Sequence, residues 1–232
     1  MNRIKELVAK INYARERKRL RKIDLENPEK FLAENVEICK KITDNYYYHR
    51  ILKENHSGCA AIERWMFNTK RFTFKEVEID KPVFLSTRGL PIIFSVWDQL
   101  RIRNAIKYFE QHEFDQNKAN AYNYYVFPLG IVITLQGNHS QYVANCCTKL
   151  DQIEIRDVID ISEALKHDFL HNFKNFNGFP QKISRKYLHK LLNNGYYLLK
   201  SDHQKIFPPE ILKAIDEEKN ESKHTLSTLG DI

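Results

Sequence analysis

Residues 125–135, YVFPLGIVITL, form a long apolar run that most constrains how this 232-residue chain can fold. Its Val, Ile, Tyr and Phe suit a buried strand, and a buried strand requires a sheet around it. Pro128 and Gly130 interrupt the run, which predicts an edge, a bulge or a bend there. The run ends abruptly at Gly137-Asn138-His139-Ser140, after which helical spacing resumes from Ser140 to Leu150. Strand, glycine turn, polar residues and helix therefore follow one another without a linker.

Other strands are expected near this one. After Lys70, RFTFKEVEI alternates in the manner of a half-buried strand, and PVFLS and PIIFSV are short apolar runs bounded by Pro and Gly. IEIRDVIDI supplies a further strand beyond the turn. Between them WDQLRIRNAIKYFEQH reads as a helix capped by Asp98, with Trp97 a core aromatic and Leu100, Ile102, Ala105, Ile106 and Phe109 on its inner side. DQNKANAYN is a polar loop.

Both ends of the chain read as helical. Ile4, Leu7, Val8, Ile11 and Ala14 share one helical face, and a second helix opens at Asn27-Pro28, carrying Phe31, Leu32, Val36 and Ile42. A third covers about 59–67, and later helices cover 162–173, 184–193 and 208 to about 219. The expected organisation is a helical extension over 1–70, a mixed α/β core over 71–165, C-terminal helices over 166–220 and a flexible tail over 221–232, all in one folded unit. The fold class is α+β, a mixed α/β centre flanked by helices.

With 42% hydrophobic and 12% aromatic residues, the chain has ample material for a core, and general disorder is excluded. No run approaches the roughly 18–20 apolar residues of a membrane span, and Met1 is followed by charged helix, so a cytoplasmic protein is expected. Cys39, Cys59, Cys146 and Cys147 form no CxxC pair and read as reduced thiols. The net charge of +7 is concentrated near the N-terminus, where Arg15, Arg17, Lys18, Arg19, Arg21 and Lys22 could contact nucleic-acid phosphates or an acidic partner. The commoner reading of such a run is the solvated side of a packed helix. Tyr46, Tyr47 and Tyr48 beside His49 and Arg50 would suit base stacking or a helix–helix interface.

The turn is where chemistry is most expected. Gly137 can take positive φ and lets backbone approach a ligand, while Asn138, His139 and Ser140 stand where free amides and the helix dipole favour an anion such as phosphate. His139 could act as general acid or base. The blander alternative is that the three polar side chains simply cap the helix. Arg101 or Arg103 could balance ligand charge. His167 and His171 are four apart, but without a third ligand they read as a solvated face, and no metal site is expected.

The order VITLQGNHSQYVANCCTKLDQIEIRDVIDIS resembles the strand, G-x-H-R turn, helix and strand of the ParB/sulfiredoxin-like superfamily. WDQLRIRNAI, PLG and GNHS in this order also resemble an uncharacterised bacterial family of unknown function. The similarity covers roughly residues 82–165. The superfamily resemblance implies phosphate binding at Gly137 and His139, a nucleotide ligand with or without Mg2+, and, if the chain is an enzyme, phosphoryl transfer or phosphoester hydrolysis. Catalysis would then fall to His139 and Asn138, with Gly137, Ser140, Arg101 and Arg103 holding the ligand. The superfamily's arginine is Ser140 here, so Arg101, Arg103 or Lys149 would have to supply the missing cation. The alternative is a non-enzymatic module that binds nucleic acid through the basic helix or a protein through its helical ends. Oligomeric state has no sequence signature.

Overall fold

The structure, a computed structural model, describes residues 28–48, 74–166, 183–200 and 206–229. The basic segment from Arg15 to Lys22, the cap residue Asn27, the expected helix at 59–67, His49, Arg50, His167 and His171 lie outside the described residues. Six helices and one five-stranded mixed sheet are present among those described, with helices flanking the sheet.

The first element, α1 (Glu29–Tyr47), begins with Pro28 at its N-cap position and no side-chain cap bond. β1 (Lys75–Ser86) corrects one expectation: KEVEI and PVFLS are a single strand, not two. Pro82 lacks the N–H that a central strand must donate, so it is tolerated only at an edge or bulge. Both conditions hold, since β1 pairs with β5 alone and its register shifts between Glu78 and Val83. β2 (Ile92–Phe94) is short and buried, and α2 (Gln99–Phe109) follows.

The apolar run over residues 125–135 is a second correction. It forms a hairpin of β3 (Tyr122–Phe127) and β4 (Ile131–Gln136) in place of one interrupted strand. Gly130 at φ +65 closes the reversal, and its N–H donates to Val126 O at 3.1 Å. The tip is buried: Leu129 is inaccessible, its carbonyl accepts from Asn35 Nδ2 of α1 at 2.7 Å, and its side chain packs where a Cβ on Gly195 would stand. PLG is thus a hairpin tip clamped between helices.

α3 (Asn138–Cys146) starts two residues earlier and stops four earlier than its spacing suggests, because Thr148 enters the left-handed region at φ +57. β5 (Gln152–Asp160) runs between β1 and β3, giving the order β1-β5-β3-β4-β2, with β5/β3 and β4/β2 parallel and the other pairs antiparallel. α4 (Ser162–Lys166), α5 (Ile183–Lys200) and α6 (Pro209–Leu229) complete the order. The last helix runs to Leu229, beyond residue 221 where a flexible tail is expected from the sequence.

Alternation along β4 shows how the sheet is covered. Ile131 and Ile133 join Ile38, Cys39 and Ile42 of α1 and Leu188, Leu191 and Leu192 of α5. Val132 joins Ile102 and Phe109 of α2, Val143 and Ala144 of α3, and Ile211 and Ile215 of α6. Burial of both faces accounts for the continuous apolar run at this strand. On α2 the inner stripe is narrower than expected, because Leu100 and Ile106 are 65% and 45% exposed and only Ile102, Ala105 and Phe109 are buried. No helix among the described residues is long and apolar enough to cross a membrane.

Candidate functional site

Gly137 is held in the left-handed conformation (φ +62, ψ +13) as the N-cap of α3. A Cβ there would stand 2.5 Å from Ala119 O and 3.2 Å from Ala121 Cα, so the loop before β3 lies against the turn and only glycine fits. Behind the turn, Gln141 Nε2 donates to Asn123 Oδ1 (3.0 Å) and to Gln136 O (2.9 Å), tying the first turn of α3 to both strands of the hairpin. Asn138 is buried and donates from Nδ2 to Ser95 O at 2.7 Å, which fixes α3 against the end of β2.

His139 is equally constrained. The residue is 5% exposed; its ring lies edge-on to Trp97 with centroids 5.1 Å apart and accepts the Trp97 and Asp98 backbone N–H groups at Nε2 (3.1 and 3.0 Å). An imidazole that accepts at Nε2 carries its proton on Nδ1. That nitrogen has no partner among the described residues, and His139 is one of the residues that line a cleft beside the turn. Burial, then the nearby Arg101 charge, lower the pKa of His139 to about 4 against a smaller opposing effect of Asp98. The ring is therefore neutral at pH 7, with its basic lone pair already engaged.

These contacts place α2 and α3 side by side from their first turns, and Lys149 closes the far end by donating to His112 O (3.0 Å) and pairing with Glu113 (3.1 Å). Between α2, the loop before β3 and the turn lies a cleft of about 730 Å³. Arg101, Asn104, Ala105 and Tyr108, spaced i, i+3, i+4 and i+7, form its α2 wall; Gly137 to Ser140 form the opposite one. The lining contains one guanidinium and no carboxylate. Arg101 rests over the Trp97 ring, 4.8 Å from its centroid, and its Nε lies 3.8 Å from Asp98 Oδ2.

The α3 N-terminus carries no side-chain cap bond, so Asn138, His139 and Ser140 do not satisfy its amides in the way a simple cap would. The first-turn N–H groups of a helix have no intrahelical acceptor, and here they adjoin an anion-tolerant cleft. Of the residues singled out in the sequence, the structure gathers Gly137, Asn138, His139, Ser140 and Arg101. It leaves Arg103 exposed and outside the lining, and commits Lys149 to Glu113. Trp97, expected in the core, is half-buried and lines the cleft. Asn104, Tyr108, Asn120 and Gln136 escaped the sequence reading. Only the second face of α2, read at the same helical spacing as the first, signals two of them.

Complete enclosure raises the pKa of Cys39, and burial raises that of Cys146, which disfavours the nucleophilic thiolate at both. Among the described residues no group of three His, Cys, Asp or Glu side chains is placed to hold a metal ion. No curated protein and no solved structure matches the chain. The model of a family of unknown function, DUF6710, matches residues 1–178, and the chain belongs to that family.

Proposed function

We propose that the cleft binds a phosphate-bearing small molecule, with its anion at the start of α3. One observation carries the reading: an uncapped helix N-terminus shares its cleft with a buried, neutral His139 whose Nδ1–H has no partner among the described residues, and with the Arg101 guanidinium. Amides, imidazole N–H and guanidinium are all donors, and a phosphate is an acceptor on every side. The ParB/sulfiredoxin-like resemblance supports the same place, since its G-x-H turn is the phosphate-binding element. Arg101, coming from α2, supplies the cation that Ser140 does not. Magnesium, if required, would arrive with the ligand's own phosphates, because the lining offers no carboxylate.

In this reading His139 enters as a fixed donor. Acid–base work at Nε2 would require breaking two backbone hydrogen bonds first. The test is thermal denaturation of wild type and Arg101→Met with inorganic phosphate and with nucleoside mono-, di- and triphosphates, each with and without magnesium. A ligand at a hundredfold its Kd should raise the wild-type Tm by roughly 5–10 °C, and Arg101→Met should need about tenfold more to match it. A flat response of wild type to every phosphate compound would defeat the proposal.

A further inference from the structure

Resting on that phosphate reading, we infer that the ligand is a nucleoside phosphate whose base is held at the rim formed by Asn120 and Gln136. The cleft is too large for a bare anion: about 730 Å³ lies within the range that encloses whole small molecules. Its α2 wall is also long. From Arg101 to Tyr108 the helix rises about 10 Å, so the cleft has room for more than an anion beside the turn. Tyr108 is 41% exposed and braced against the nearly parallel ring of His112, with centroids 4.2 Å apart, so it offers the cleft a supported aromatic surface.

The rim supplies what a sugar phosphate would not need. Asn120 Nδ2 donates to Gln136 Oε1 at 3.0 Å, which leaves Asn120 Oδ1 as an acceptor and Gln136 Nε2 as a donor, both without a further partner among the described residues. Exchanging the two amides' roles still leaves one donor and one acceptor. Such a pair is complementary to a base edge that sets an amino group beside a ring nitrogen, as adenine and cytosine do. The rim is held in place before any ligand arrives. Asn120 sits at φ +48 at the end of a turn in which Asp115 Oδ1 accepts from Asn117 N and Lys118 N, and Ala121 N donates to Gln116 O. A preorganised edge of this kind spends less binding energy on ordering.

The experiment is calorimetric titration of the full chain and of N120G/Q136A with the four nucleoside 5′-monophosphates, ribose 5-phosphate and inorganic phosphate. Glycine accepts the positive φ at 120, and both positions are exposed, so the variant should fold. At least one nucleotide should bind tenfold or more tightly than ribose 5-phosphate. N120G/Q136A should erase that margin and leave ribose 5-phosphate within twofold of wild type. Equal binding of ribose 5-phosphate and every nucleotide by wild type would overturn the base assignment and leave the phosphate reading intact. A margin that survives in the variant would overturn the role of the rim. Failure of every compound, inorganic phosphate included, would overturn the base assignment, and together with a flat thermal response to the di- and triphosphates it would defeat the phosphate reading as well.

Discussion

Two helices begin next to each other in this molecule, and they begin differently. α2 is closed by its own sequence: Asp98, in an extended conformation, accepts Leu100 N–H at 2.8 Å and Arg101 N–H at 3.1 Å. α3 starts at a left-handed glycine with no side chain to offer, and its polar first-turn residues turn away, Asn138 to Ser95 and His139 to the backbone of Trp97 and Asp98. An N-cap side chain is worth about 1 kcal/mol over alanine but only a few tenths over glycine, so α3 gives up little stability by starting at Gly137. The side chains of α3 instead fix where its start lies relative to α2 and β2. One helix end serves its own stability; the other is built as a position.

The largest effect is expected from giving α3 a side chain at its cap. Gly137→Ala imposes positive φ on a residue with a Cβ and drives that Cβ into Ala119 O. A loss of about 2–5 kcal/mol is expected in urea denaturation, the sum of a left-handed conformation and an overpacked contact with backbone. A loss below 1 kcal/mol would show that the loop before β3 does not rest on the turn.

Next in size is the bridge between the two helix starts. His139→Ala leaves the Trp97 and Asp98 amides without their acceptor and should cost about 2–3 kcal/mol. The same residue carries a pH signature. Its folded pKa of about 4 lies below the ordinary 6.5, so the unfolded chain binds the proton more readily. The stabilisation is complete above pH 6.5 and is lost as pH falls through the window from 6.5 to about 4. Wild type should lose stability across that window more steeply than His139→Ala, by at most about 3 kcal/mol. Parallel curves would mean that His139 is not held neutral.

What was legible in the sequence follows the same division. The Asp98 cap could be read directly, because a capping carboxylate acts on amides two and three residues away. Gly137 and the helix after it were equally local. The hairpin was not, because β3 and β4 have both faces covered and their apolar run gives no alternation; only Pro128 and Gly130 marked the interruption. Pro82 looked like the boundary between two strands because a bulge on an edge is a property of the whole sheet. The cleft's second wall was hidden for a related reason. Asn104 and Tyr108 become meaningful only once α2 lies beside the turn, and His139 could not reveal that its Nε2 would be taken by a peptide 41 and 42 residues earlier.

The cap of α2 offers a smaller and cleaner perturbation. Asp98→Ala should cost about 1 kcal/mol by opening the Leu100 and Arg101 amides, whereas Asp98→Asn keeps an acceptor and should cost half of that or less. Both remove the carboxylate that sits 3.8 Å from Arg101 Nε. If the cleft takes an anion, each variant should bind phosphate ligands severalfold more tightly than wild type despite its lower stability. Weaker binding in both would assign Asp98 to the ligand instead of to the helix.

Arg101→Met should leave stability almost unchanged, and that is its value. The Arg101 side chain is 63% exposed, its pairing with Asp98 is long, and exposed pairs of this kind contribute well under 1 kcal/mol. Methionine keeps an unbranched stem over Trp97, so packing at the ring persists while the charge is lost. Denaturation midpoints should agree within about 0.5 kcal/mol. Phosphate-ligand affinity should nevertheless fall about tenfold, the worth of one charge-assisted contact, and the remaining binding should depend less on salt than that of wild type. Equal stability with equal affinity would leave the open end of α3 and the His139 N–H as the whole anion site, and would show that Arg101 belongs to α2 and Trp97 alone.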